Sequence, residues 1–402
     1  MRLINRSNLA EIFERRRGTD AKTAACAAAV IAAVRKDGDR AIARFTEQFD
    51  GVRRRSVRVS AAEIRRAKGF LSADQRAAIV SAASRIGAYH QRQMPDGFSL
   101  QGDGSSVSFS FRPIRRIGIY IPGGQSPLIS TVLMTVIPAN VAGVGEIAVC
   151  SPPSYRGGVH PAILETLVLL GVKEIYAAGG AQAVAALAYG TSSIPKVDLI
   201  AGPGNAYVDA AKRLVFGDTG IDLPAGPSEV VVFADAGARK EFVLADLKAQ
   251  MEHTGGSGIL VTTCELLGRE IAAEISGGYW IPARTMDAAG EIINDLAPEH
   301  LQLFCRNGRR FARNLIAGAI FIGPYAPAAF GDYYAGPSHV LPTGRTARFT
   351  GGLSVFTFLR GCAVMEVKKS FIHRHGGRMA SLAALENLPE HTRAIALRGK
   401  EK

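Results

Sequence analysis

Two rhythms of apolar and polar positions divide the chain. Up to about residue 90 the apolar side chains recur every three or four positions, the mark of helices that bury one stripe. This spacing predicts helices over 4–17 and 22–35, a break at Lys36-Asp-Gly-Asp, and a helix over 40–49. A further helical stretch opens at a Ser60 cap, turns at Gly69 and runs towards His90. Residues 106–112 alternate as Ser-Val-Ser-Phe-Ser-Phe-Arg and predict a strand.

From Arg116 the rhythm becomes short β-rich runs followed by helices. Strands are predicted over 117–121, 146–150, 174–178 and 197–200, and helices over 130–142 and 161–170 and from Gly179-Gly-Ala to Gly190. Strand, glycine turn and helix repeating in this order predict a parallel sheet covered on both faces. Segments 205–215 and 228–233 are expected to complete that lobe. Beyond Asp235 the pattern predicts helices over 240–253, 265–275 and 287–293, and strands over 258–263, 301–304 and 316–322. A glycine-rich loop over 331–344, a strand over 364–369 and a helix over 378–388 follow. The fold class expected is α/β with two Rossmann-like parallel-sheet domains and a small C-terminal extension. The domains are drawn as 1–114 with 235–360, then 115–234 on the nucleotide side, then 361–402.

Composition narrows the function classes. The chain has 402 residues and a formal net charge of +13, but its basic residues are dispersed and no nucleic-acid-binding motif is visible. The most apolar stretch, 129–149, is broken by Pro138, Gly143, Gly145 and Glu146, so no membrane span is expected. Met1-Arg-Leu-Ile-Asn-Arg leads into a charged segment, and no cleavable signal peptide is expected. The five cysteines are scattered without a CxxC pair, which fits a reducing, cytoplasmic setting and no cysteine metal site.

Candidate chemistry lies in polar clusters beside glycine or proline. Gln250 and His253 sit three apart on one helix face, where an amide oxygen and an imidazole can share a divalent metal, zinc first among them. A histidine packing near its own helix end explains the same spacing. The turns Pro122-Gly-Gly, Gly179-Gly and Gly202-Pro-Gly-Asn follow successive strands, at the edge where open α/β sheets hold ligands. Tyr120, Gln182 and Asn205 thereby become candidates to contact an extended cofactor, although each turn can also be structural. Ala297-Pro-Glu-His offers a carboxylate and an imidazole for proton transfer, provided the pair lies in a turn or at a helix start. The loop from Gly331 to Gly344 offers Asp332 and His339, and Pro389 can turn Glu386 and His391 to one side.

Read in order, these blocks resemble the histidinol dehydrogenase family over nearly the whole chain. They run from Phe45-Thr-Glu-Gln-Phe-Asp-Gly and Gly118-Ile-Tyr-Ile-Pro-Gly-Gly through Gly220-Ile-Asp-Leu-Pro-Ala-Gly-Pro-Ser-Glu and Ala249-Gln-Met-Glu-His to the Glu386/His391 tail. The resemblance implies a zinc- and NAD-dependent enzyme that oxidises L-histidinol to L-histidine through a bound aldehyde. It puts the zinc ligands at Gln250, His253, Asp332 and, across a domain-swapped homodimer, His391. Glu299 and His300 take the catalytic roles, and Ser228, His339 and Glu386 the substrate contacts, with Glu386 also crossing the dimer. Tyr120, Gln182 and Asn205 take the cofactor.

The chain departs from the family pattern at Gln125-Ser-Pro-Leu-Ile, at Pro337-Ser-His, and in a shortened segment between His253 and Glu299. These departures keep two other readings open: a paralogue acting on another small polar or sulfonated alcohol, and a non-catalytic metal- or nucleotide-binding homologue. Retention of Glu299 and His300 argues against the last, since binding alone does not require that pair.

Overall fold

A computed structural model describes residues 1–15, 20–123, 126–224, 226–252 and 255–400. It separates into two units: Met1–Gln93 with Ile114–Phe358, and Met94–Pro113 with Leu359–Lys402.

The larger unit holds two parallel sheets. The six-stranded sheet runs, in spatial order, Arg2–Leu3, Tyr279–Pro282, Ser257–Thr262, Glu229–Ala234, His300–Phe304 and Ala319–Ile322. Its central strands read Glu-Val-Val-Val-Phe-Ala and Ser-Gly-Ile-Leu-Val-Thr, nearly continuous in apolar character, because both faces are covered. Alternate residues serve opposite layers. Val231, Phe233, Ile259 and Val261 pack with Ile292, Ile293 and Leu296 on one side. Val230, Val232 and Leu260 pack with Val243, Leu247 and Ile271 on the other.

The five-stranded sheet runs Glu174–Ala177, Glu146–Ser151, Arg116–Tyr120, Leu199–Ala201 and Gly220–Ile221. Helices Ala21–Asp37, Gly180–Tyr189 and Ala206–Val215 bury one of its faces. Helix Ile129–Ala142 is apolar almost all round and interior along most of its length, with Pro138 inside it.

Two expected boundaries move. Strand Glu229–Ala234, assigned from sequence to the second lobe, pairs with Ser257–Thr262 and His300–Phe304 at the centre of the other sheet. A buried apolar strand fits the middle of either sheet, and its own composition does not choose between them. Residues 94–113, assigned to the first domain, group instead with the C-terminal segment. There Ser105–Pro113 pairs antiparallel with both Phe98–Gly102 and Leu359–Val367.

The smaller unit is completed by helices Lys369–Leu385 and Pro389–Lys400. The first starts nine positions before the helix expected from 378, at the end of the strand. Many of the unit's large apolar side chains are open to solvent, including Leu100, Met365, Val367, Leu382, Leu385 and Leu397. Among the described residues no helix is long and apolar enough to cross a membrane.

Candidate functional site

Helix Met286–Leu296 ends on Ala297 in the left-handed conformation (φ 39°), which swings the chain through Pro298 into strand His300–Phe304. Glu299 therefore occupies a bend just before the strand, and His300 is the strand's first residue, so only the first of the pair lies in a turn. Both residues are interior, at 5% and 3% exposure. Glu299 Oε2 accepts the Glu229 N–H at 2.9 Å, and the Glu299 N–H donates to Glu229 Oε1 at 3.2 Å. This reciprocal pairing of two strand starts fixes the carboxylate 3.5 Å from His300 Nδ1.

The same contacts decide the His300 tautomer. Nδ1 lies 3.3 Å from the Glu229 carbonyl oxygen, which can only accept, so Nδ1 carries a hydrogen. In the neutral ring Nε2 is then the proton acceptor, and it faces Asp332 Oδ1 at 3.7 Å. Burial lowers the proton affinity of this imidazole, but Glu299 and Asp332 outweigh it and hold His300 well above the usual histidine range. Phe321 stacks on the ring with centroids 6.0 Å apart.

Asp332, on helix Ala328–Tyr333, joins His300 to His339. Its carbonyl accepts from His339 Nδ1 at 3.1 Å, leaving His339 Nε2 to accept from the Thr131 hydroxyl at 3.2 Å. Burial depresses the proton affinity of His339, opposed in part by Asp332. Thr131 belongs to helix Ile129–Ala142, so this hydrogen bond ties the helix beside the five-stranded sheet to the loop that follows the six-stranded one. Ser338, where the sequence departs from the family pattern, donates to the Met134 carbonyl at 3.0 Å and is interior. Its hydroxyl anchors the loop.

On helix Lys240–Met251, Gln250 is 3% exposed, and its Nε2 has no partner among the described residues. Amide oxygen and nitrogen exchange positions on rotation, so this buried, uncommitted amide suits a metal ligand. Asp332 offers a carboxylate of the right type. His253 lies outside the described residues. Among the described residues no group of three or more His, Cys, Asp or Glu is arranged to hold a metal. Asp246, one turn before Gln250, was not singled out from the sequence, and burial raises its carboxyl to about 6. Ser228 is half-buried, next to Glu229, and its carbonyl accepts the Ser257 N–H at 3.0 Å.

The cofactor candidates gather at the C-terminal edge of the five-stranded sheet. Tyr120 ends its central strand, and its hydroxyl accepts the Gly180 N–H at 3.2 Å, at the start of helix Gly180–Tyr189. Burial pushes that phenol up to about 12, so it stays protonated. Gln182 is 1% exposed, with neither amide atom partnered among the described residues. Asn205 caps helix Ala206–Val215, accepting from the N–H groups of Tyr207 and Val208. The turn before it needs glycine at 202: φ is 111°, and a Cβ there would meet the Tyr120 carbonyl oxygen at 2.2 Å. Lys212 Nζ donates to the Gly202 carbonyl at 3.0 Å, and Asp222 accepts the Gly202 N–H at 2.8 Å. Lys212 and Asp222 are themselves an ion pair and are fully interior. An uncommitted amide, a helix N-terminus and close-packed glycines fit a dinucleotide.

The structure thus brings Glu299, His300, Asp332 and His339 into one continuous line and gathers Tyr120 and Gln182 at one sheet edge. Glu386 and His391 belong to the smaller unit and are exposed. Glu386 ends helix Lys369–Leu385, and Pro389 opens the next. Glu229 and Thr131 were not anticipated. Glu229 had a signal, being the last residue of the Gly-Pro-Ser-Glu block, whereas Thr131 lies in an apolar helix and had none.

Comparison with known proteins shows the family. The family model described as histidinol dehydrogenase matches residues 13–399. A histidinol dehydrogenase of Halalkalibacterium halodurans is 41% identical over 391 residues, covering 92% of each chain. One from Moorella thermoacetica is 43% identical over 393 residues, again covering 92% of each. The crystal structure of histidinol dehydrogenase from Elizabethkingia anophelis superposes with a TM-score of 0.91 at 34% identity, covering 99% of this chain and 98% of that one.

Proposed function

The chain belongs to the histidinol dehydrogenase family, and from that premise we propose that it oxidises L-histidinol to L-histidine in two successive NAD-dependent steps, with the aldehyde held between them. The observation that carries this reading is the line Glu299–His300–Asp332, in which Nε2 is the nitrogen of the neutral His300 ring that can take a proton.

The residues act as follows. His300 Nε2 takes the hydroxyl proton of the alcohol as the carbon–hydrogen bond breaks, and Glu299 stabilises the resulting imidazolium through Nδ1. For the second oxidation water must add to the aldehyde. The Oε1 of Glu299, which has no hydrogen-bond partner among the described residues, is the acceptor for a water proton. His339 and Ser228 orient the substrate, with Glu386 as a further contact. Tyr120, Gln182 and Asn205 would hold NAD, which would supply the hydride acceptor, and Gln250, His253, Asp332 and His391 would hold zinc, which would supply a fixed positive charge for the amino alcohol.

Two of these side chains, Glu386 and His391, belong to the smaller unit. That unit's exposed Met365, Leu382, Leu385 and Leu397 form the kind of surface that a second copy covers, which supports an exchanged homodimer. Turnover of L-histidinol with NAD, lost on removing metal with a chelator and regained on adding zinc, tests the proposal. Full activity in the chelated protein would overturn the metal assignment, and absence of turnover with zinc restored would overturn the substrate.

A further inference from the structure

Two polar side chains from different elements, Asp50 and Gln182, meet at the start of helix Gly180–Tyr189. Asp50, the last residue of helix Asp39–Asp50, has an Oδ2 that is shut from solvent and has no partner among the described residues. Its Oδ1 lies 3.6 Å from the point where a side chain on Gly179 would begin. Both amide atoms of Gln182 are likewise buried and unpartnered among the described residues. Tyr120 lies close enough for the Asp50 charge to act on its phenol. Buried polar groups are ordinarily bonded, so two of them meeting at one helix N-terminus point to a ligand that both donates and accepts.

The carboxylate sets the chemistry of whatever faces it. Burial raises the proton affinity of this carboxyl; in its ionised form it only accepts, so the ligand must donate there. A ribose ring with hydroxyls does so, whereas a phosphate has no donor to offer at neutral pH and is repelled. Of the three arginines that follow, Arg53 is paired with Glu47, Arg54 with Glu63 and the Gly157 carbonyl, and Arg55 is exposed; burial, not an arginine, is what acts on the Asp50 carboxyl.

We propose that Asp50 accepts hydrogen bonds from the adenosine ribose of the dinucleotide and so selects NAD over its 2′-phosphorylated form. This rests on reading Tyr120, Gln182 and Asn205 as cofactor contacts. It adds a specificity-determining residue from the helical N-terminal segment, outside the glycine turns.

The test is equilibrium binding of NAD, NADP and the analogue lacking the adenosine 2′-hydroxyl to the zinc-loaded full chain, with Asp50→Asn and Asp50→Ser alongside. The wild type should hold NAD at least about tenfold more tightly than the deoxy analogue, the worth of a hydrogen bond to a charged group. NADP should bind more weakly still. Both variants should narrow the NAD-to-NADP ratio by about tenfold or more, through weaker NAD and stronger NADP binding. NAD bound normally, with an unchanged ratio in the variants and no penalty for the deoxy analogue, would overturn the role of Asp50 alone. A wild type that binds no dinucleotide would overturn the cofactor reading together with it. The deoxy comparison uses only the wild type and stands even if a variant fails to fold.

Discussion

At His300 burial and two carboxylates act in opposite directions, and the carboxylates prevail. A ring with raised proton affinity is neutral, and so able to act as a base, only above that raised value. The rate of the first hydride transfer should therefore climb with pH through the His300 titration. Glu299→Gln removes one of the carboxylates that hold the proton, so this acid limb should move to lower pH. The same substitution should leave L-histidinol binding intact and stall the reaction after one hydride, because water is no longer activated. Stopped-flow absorbance of NADH across a pH series checks both; an unmoved limb with two hydrides still delivered would remove Glu299 from its roles. Most of this line was legible in the sequence, since Pro-Glu-His and the Gly331–Gly344 loop declared themselves by residue type beside fixed backbone. Glu229 and Thr131 were not, because one acts largely through its main chain and the other is a single hydroxyl on an apolar helix.

Among the elements, the turn at Gly202 is held from beneath by Lys212 and Asp222. Lys212→Met leaves a buried, unpaired carboxylate and should cost about 3–5 kcal/mol in denaturant unfolding. The double variant Lys212→Met with Asp222→Leu should recover much of that stability. It should still bind NAD weakly, because the Gly202 N–H has lost its acceptor; normal NAD affinity in the double variant would make the pair purely structural.

Helix Lys240–Met251 carries a different tension at Asp246, whose carboxyl burial raises to about 6. Here the folded state holds the proton more tightly than the unfolded chain. Stability should thus fall as pH rises from the ordinary Asp range, about 3.9, towards 6. Asp246→Asn should raise the melting temperature at pH 7.5 and change it little at pH 4. Equal effects at both values would contradict the burial argument. Helices and central strands were readable because period and burial coincide there. Arg2–Leu3 and Tyr279–Pro282 were not, being too short to show a period, and the second ends on a proline. Sheet membership of Glu229–Ala234 was hidden for another reason: pairing is a long-range property that a strand's own composition does not encode.

At the scale of the whole molecule, the proposed metal site draws His391 from the smaller unit of a second copy. His391→Asn should lower zinc content in elemental analysis while the exposed apolar surface still supports a dimer in sedimentation. Unchanged zinc would show that the tail does not close the metal site. The family blocks made the tail's residues recognisable and carried the expectation of exchange across a dimer, which no pattern within the tail itself encodes. The proposed reaction is a four-electron oxidation carried out on one bound molecule. Its most direct test is to count NADH formed per L-histidinol consumed by the zinc-loaded protein. Two NADH are expected, with L-histidine as product and no free aldehyde. One NADH with aldehyde released, or no NADH while zinc and NAD remain bound, would contradict it.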